Sequence, residues 1–112
     1  SPVVQGTYSA SRAMLVKDYK TAREAAATIP NIAMKNYSLA LIEAMIGQKN
    51  HMAGYTLAKP WMKSLIEAVV SYREGDLQNY EIHKNASLSQ TSGIQYFSNY
   101  YFFERIGEYV KK

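Results

Sequence analysis

Two histidines, nine carboxylates and no cysteine are what this chain of 112 residues has available for chemistry. His51 and His83 each stand at the edge of a polar segment. Glu81 precedes His83 by two positions, a spacing that sends the two side chains to different sides of a helix. A di-iron bundle needs a Glu-x-x-His pair on each of two helices, and the sequence has none. Without cysteine, a zinc site needs a third nitrogen or carboxylate ligand, which no spacing here supplies. Both histidines read as solvated or capping residues, and no metal or cofactor is expected. No serine has the flanks of a nucleophile elbow, and no Gly-rich phosphate loop occurs. The chain is expected not to be an enzyme.

Asp18 and Asp76 stand where helices should start and read as N-caps. Glu43 differs, because its neighbours are the most apolar in the chain. A buried carboxylate must be paired or protonated. Lys35, Arg12 or a tyrosine hydroxyl could serve it, unless it lies in a narrow solvent gap, which is the favoured reading.

The ten tyrosines carry more information. Tyrosine joins a large apolar body to a polar tip, so it suits half-buried positions and interfaces. The run Tyr96-Phe97-Ser98-Asn99-Tyr100-Tyr101-Phe102-Phe103 cannot turn all its rings to one core if it is helical. Several are expected to fill the margins of a small core. Phe97 and Tyr101 fall beside Glu104, Arg105 and Glu108 on the helical wheel, on an otherwise charged face. With Tyr8 and Tyr55 they are the candidate binding residues, forming a docking surface or a dimer seam. A small-molecule pocket between helices, lined by tyrosine hydroxyls and methionines, is the other use for such residues.

One domain fits this length, and 47% hydrophobic residues are enough to bury a core without disulfides. Disordered, collagen-like, disulfide-stapled and zinc-ribbon classes are excluded. No apolar run is long enough to span a bilayer. The net charge of +4 is made of scattered lysines and arginines, whose only adjacent pair is Lys111-Lys112. A phosphate backbone rewards clustered cations, so no nucleic-acid partner is expected. Ser1-Pro2 without a methionine reads as a trimmed or processed chain or an excised domain, any signal peptide having already gone. Location stays open between inside and outside the cytoplasm, with the cytoplasm favoured.

Helical periodicity dominates the chain. A first stretch, Thr7 to Val16, continues or kinks into Asp18 to Thr28, where Tyr19, Ala22, Ala26 and Ile29 form a stripe of mostly small side chains. Pro30 stops that helix and Asn31 caps the next. Ile32 to Ile46 is apolar almost all round, with Ala33, Met34, Tyr37, Ala40, Leu41, Ala44 and Met45 on one side and Ile32, Leu39, Ile42 and Ile46 on another. Such a helix is sandwiched between neighbours. Gly47 is its C-cap, and a short helix is expected over Met52 to Ala58. Pro60 suits a first turn. From Trp61 to Arg73 an inward face (Trp61, Leu65, Ala68, Val69, Tyr72) is widened by Met62, Ile66 and Val70, with Lys63, Glu67, Ser71 and Glu74 solvated. Gly75-Asp76 is a stop and a new start, and Leu77, Tyr80 and Leu88 mark the next stripe. Asn85 to Gly93 reads as a loop or frayed end, Ser92 with Gln95 as a capping box. A last helix spans Ile94 to Val110, with Tyr96, Tyr100, Phe103, Gly107 and Val110 inward and Phe102, Ile106 and Tyr109 beside them.

Lys17-Asp18-Tyr19-Lys20-Thr21-Ala22, followed by Ala26 and Ile29-Pro30-Asn31, resembles the turn and second helix of a tetratricopeptide-type hairpin. Tyr72-Arg73-Glu74-Gly75-Asp76-Leu77, followed by Tyr80, resembles the same turn. Asp18 and Asp76 lie further apart than one period of that family, about 34 residues. A degenerate unit between them, Ile32 to Ile46 with Met52 to Ala58, would make two unequal periods. Tyr80 also stands where the family has an alanine. The resemblance implies stacked helical hairpins and a protein-binding scaffold with no chemistry of its own. The expected fold is all-α, with four to six antiparallel helices as stacked hairpins or a closed bundle. The expected function is non-enzymatic protein–protein interaction, through a protein partner or self-association. The alternative is an extracytoplasmic or immunity-type helical bundle holding a small ligand or one cognate protein in an aromatic-lined groove.

Overall fold

The computed structural model describes residues 6, 10, 12–14, 16–47 and 55–110. Residues 12–14 are helical and precede α1 (Tyr19–Ala27), α2 (Ile32–Ile46), α3 (Pro60–Glu74), α4 (Leu77–Ser89), α5 (Gly93–Glu104) and α6 (Ile106–Tyr109). No strand occurs among the described residues, and the fold is all-α. Tyr8 and His51 lie outside the described residues, as do Met52 to Gly54 of the short helix expected over Met52 to Ala58. The rest of that segment, residues 55–58, is not helical.

Two turns of the same geometry begin α1 and α4. Lys17 and Gly75 both take left-handed backbone, at φ 60 and φ 78. In each case the following aspartate N–H donates five residues back, Asp18 to the Ala13 carbonyl (2.8 Å) and Asp76 to the Ser71 carbonyl (2.9 Å). The left-handed residue donates three back, Lys17 to Met14 and Gly75 to Tyr72. This pair of bonds closes a helix end on its orphan carbonyls. Each aspartate then caps the next helix, Asp18 Oδ1 accepting from the Thr21 amide (3.2 Å) and Asp76 Oδ1 from the Asn79 amide (3.1 Å). Glycine takes left-handed backbone freely, whereas a lysine there costs about 1–2 kcal/mol. Lys17→Gly is expected to stabilise the protein by roughly 0.5–1 kcal/mol, after the greater unfolded freedom of glycine is subtracted. Urea unfolding of the two proteins, compared at equal m-value, checks this.

The caps also titrate. Hydrogen bonds from Thr21 hold the Asp18 carboxyl below its ordinary 3.8. Those from the Asn79 amide and side chain do the same for Asp76. A folded pKa lower than the unfolded one gives stability that is complete above about 3.8 and is lost as pH falls through the lower folded value. Asp76→Asn keeps a capping side chain that does not titrate. The stability lead of wild type over Asp76→Asn is therefore expected to shrink between pH 6 and pH 2.5. A difference that stays constant across urea titrations in this range would contradict the capping role.

The core grows from small residues outward. Ala22 and Ala26 of α1 are fully buried, and α2 packs on this alanine face. α2 also packs on α3, and buries Ser38, Ala40, Leu41, Ile42, Ala44 and Met45, so it is the central helix the sequence anticipates. Its second apolar side is narrower than expected, because Ile32 is exposed. α3 buries Met62, Leu65, Ile66, Ala68 and Val69. Ser71, placed on its solvated side by the pattern, is buried as well, in a helix whose closest neighbour is α4. One continuous core runs from Ala10 to Val110. The Tyr19 hydroxyl donates to the Tyr109 carbonyl and ties α1 to the end of the helix series.

The last third of the chain departs most from the pattern. Asn85 to Ser89 belong to α4, so the loop shrinks to residues 90–92. Ser87 is fully buried, with its hydroxyl donating to the Trp61 carbonyl (3.3 Å). Packing on α3 thus holds helix where composition suggested loop. The capping box does not form: Ser92 makes no side-chain cap, and Gln95 donates to Asn99 instead. The single long helix is interrupted at Arg105 (φ -116, ψ 16), where bonding tightens to i→i−3 steps, Arg105 to Phe102 and Glu108 to Arg105. The inward face is Asn99, Phe103, Ile106 and Val110, with Tyr100 exposed. The Phe103 ring meets Tyr80 of α4 edge-on at 6.2 Å, and Asn99, one turn earlier, is turned in with it.

Candidate functional site

A cavity of about 450 Å³ lies where α2, α3, α5 and α6 converge with Ala10 and Met14. Helical spacing assembles it. Met34, Tyr37, Ser38 and Leu41 come from one face of α2, and Trp61 and Leu65 from successive turns of α3. α5 contributes Gln95, Ser98, Asn99, Tyr101 and Phe102, the break after it Arg105, and α6 Tyr109. Rings form two corners. Tyr37 and Trp61 meet edge-to-face at 5.2 Å, and Phe102 and Tyr109 stack at 5.2 Å with 24° between planes. Burial pushes the Tyr37 hydroxyl far above its ordinary pKa, so it stays neutral.

Polar groups are concentrated on the α5 side. Asn99 is only 3% exposed. Its Oδ1 accepts from Gln95 Nε2 (2.8 Å), while its buried Nδ2 has no hydrogen-bond partner. An unpaired buried amide donor costs about 1–3 kcal/mol, and among the described residues Arg73 Nε is buried without a partner as well. Among the described residues, Arg105 is the one charged side chain on the cavity wall. Its Nε is held by Glu108 Oε2 (2.7 Å), which leaves the terminal guanidinium nitrogens to other acceptors.

Of the four candidate binding residues, the three that are described, Phe97, Tyr101 and Tyr55, do not come together. Tyr101 lines the cavity and is 62% exposed, so it forms part of the rim. Phe97 is 59% exposed on the same helix but does not line the cavity, and its ring contact is with Tyr96. Ile94, 91% exposed, extends the Phe97 and Tyr101 side along α5. Tyr55 is half-buried elsewhere, donating to Glu43 Oε1 (2.9 Å). Desolvation and that carboxylate raise its pKa. Glu43 also pairs with Arg23 at 3.5 Å, so a tyrosine hydroxyl and an arginine serve the carboxylate of the central helix. The composition could not separate this Tyr55 from a surface tyrosine.

His83 is part-exposed and not a cap: its Nδ1 lies 3.1 Å from Glu67 Oε2, bridging α4 and α3. Among the described residues, no three His, Asp or Glu side chains gather in a metal-binding group. No helix among them is long and apolar enough to cross a membrane. The residues that sequence reasoning missed are Asn99 and Arg105. One signal for Asn99 was present, a lone amide embedded in six rings. No family model, curated protein or solved structure matches the chain.

Proposed function

We propose that this chain is a non-enzymatic binding domain, a closed helical bundle that takes a small ligand in its aromatic-walled groove. The cavity of about 450 Å³ carries this reading, since it falls in the range of ligand pockets, about 300–1,000 Å³. The wall composition agrees: rings and methionines for area, with a few polar groups to orient. The tie from Tyr19 to Tyr109 favours a closed body over an open stack of hairpins. 8-Anilinonaphthalene-1-sulfonate should bind the folded protein at one saturable site, with energy transfer from Trp61, the only tryptophan. Ser98→Phe fills the groove from an exposed wall position and should abolish that signal without lowering Tm. An equal signal in Ser98→Phe would contradict the reading.

A protein-docking face is the second reading. It draws support from Ile94, Phe97 and Tyr101, exposed at i, i+3 and i+7 along α5. The tetratricopeptide-like hairpin draws support from the matching turns at Lys17-Asp18 and Gly75-Asp76. Phe97→Ser separates the two uses of α5, because Phe97 serves only the outer face. Loss of a protein partner in Phe97→Ser, with groove binding retained, would favour docking.

A further inference from the structure

Resting on the groove reading, we infer that the ligand is an uncharged, largely apolar molecule, held by shape and ring contacts rather than by a charge. The cavity changes character with depth. Its exposed members, Gln95, Ser98, Tyr101 and Arg105, all come from α5 and the break after it, and they mark the mouth. Ala10, Met14, Leu41 and Leu65 are its buried apolar members and make the inner wall. The two polar side chains buried with them, Ser38 and Asn99, are neutral. The half-buried rings of Tyr37 and Trp61 complete the wall away from α5.

Among the described residues, the inner wall holds no charge that would pair with an ionic ligand. The one charge of the cavity, Arg105, is half-exposed at the mouth, and Glu108 already answers it at 2.7 Å. Burial keeps the Tyr37 hydroxyl neutral. A carboxylate or ammonium carried to the inner wall loses its water and meets no partner of opposite sign, whereas a hydroxyl there loses far less. A charge left at the mouth stays in water and costs little. The selectivity therefore falls on whichever end of a molecule goes in. Ring faces attract a cation, which makes a preference for a dication the sharpest rival result.

Naphthalenes substituted at both ends test this, because one end must enter. Naphthalene-2,6-dimethanol, naphthalene-2,6-dicarboxylate and the dication of 2,6-bis(aminomethyl)naphthalene are each titrated into the full chain while the single Trp61 indole N–H signal is followed by NMR. The dimethanol should bind at least tenfold more tightly than either charged probe. 2-Naphthoate, whose single carboxylate can stay at the mouth, should bind no more tightly than 2-naphthalenemethanol. Arg105→Gln/Glu108→Gln removes both charges of the mouth pair at half-exposed positions, and should leave the preference for dimethanol over dicarboxylate within twofold of wild type. A charged probe bound less than tenfold more weakly than the dimethanol, or a preference for 2-naphthoate, would overturn the uncharged ligand and leave the groove standing. A larger change in the double variant would assign the selectivity to the mouth pair and overturn it as well. If none of the probes moves the Trp61 signal, the groove reading falls with it.

Discussion

Truncating Ile66 to alanine lowers the free energy of unfolding by about 4 kcal/mol, while truncating its neighbour Leu65 costs only about 2–3 kcal/mol. Both side chains belong to α3 and are fully buried in the same core. They differ in what lies beside them. Ile66 is packed on all sides, so its removal forfeits the transfer energy of three carbons and opens a new void. Leu65 already borders the cavity of about 450 Å³ and has fewer atoms to lose contact with. The ordering matters more than either value, because it follows from the cavity being a feature of the folded protein. Urea unfolding with unchanged m-values measures both. A Leu65→Ala cost equal to or above that of Ile66→Ala would mean that the groove is filled.

The second large effect is at Gly47. Gly47 and Gly75 share left-handed backbone at the same φ of 78, so alanine strains each equally. Around Gly75 nothing lies within 4 Å of an added Cβ. Gly75→Ala should therefore cost about 1 kcal/mol, the left-handed penalty less the unfolded-state gain. At Gly47 an added Cβ would overlap the Arg73 guanidinium. That group lies at the C-terminal end of α2, where the helix carries partial negative charge. It must move away, and Gly47→Ala should cost about 2–3 kcal/mol. In an Arg73→Ala background the cost of Gly47→Ala should fall to about 1 kcal/mol, the strain alone. Equal costs in both backgrounds would remove the proposed contact.

What the amino-acid order revealed divides along a physical line. Asp18, Asn31, Gly47 and Asp76 were readable as caps because a cap is a bond between near neighbours. The stripes of α1 and α3 were readable because their apolar residues recur at helical spacing. Ser87, Asn99 and the break at Arg105 were not. Each depends on a contact made across the fold, with Trp61, with the face set by Tyr80 and Phe103, or with the core around Ile106. The candidate site shows the same division. Tyr101 was singled out as an aromatic on a charged face, and it does lie on the cavity rim. Tyr37 and Trp61 were assigned to core stripes, and nothing local distinguishes a core ring from a groove wall. Five of the ten tyrosines are thereby sorted: Tyr55 donates to a carboxylate, Tyr80 belongs to the core, and Tyr37, Tyr101 and Tyr109 line the cavity.

The central claim is that the space between α2, α3 and α5 receives a ligand. A two-dimensional NMR titration with 8-anilinonaphthalene-1-sulfonate tests it directly through the side-chain N–H signals of Trp61, Gln95 and Asn99, three residues of the wall. The account predicts that these three signals shift together along one saturation curve, while the backbone amides of Ile94 and Phe97 stay in place. Shifts confined to Ile94 and Phe97 would contradict it, and would move the binding surface to the outer face of α5.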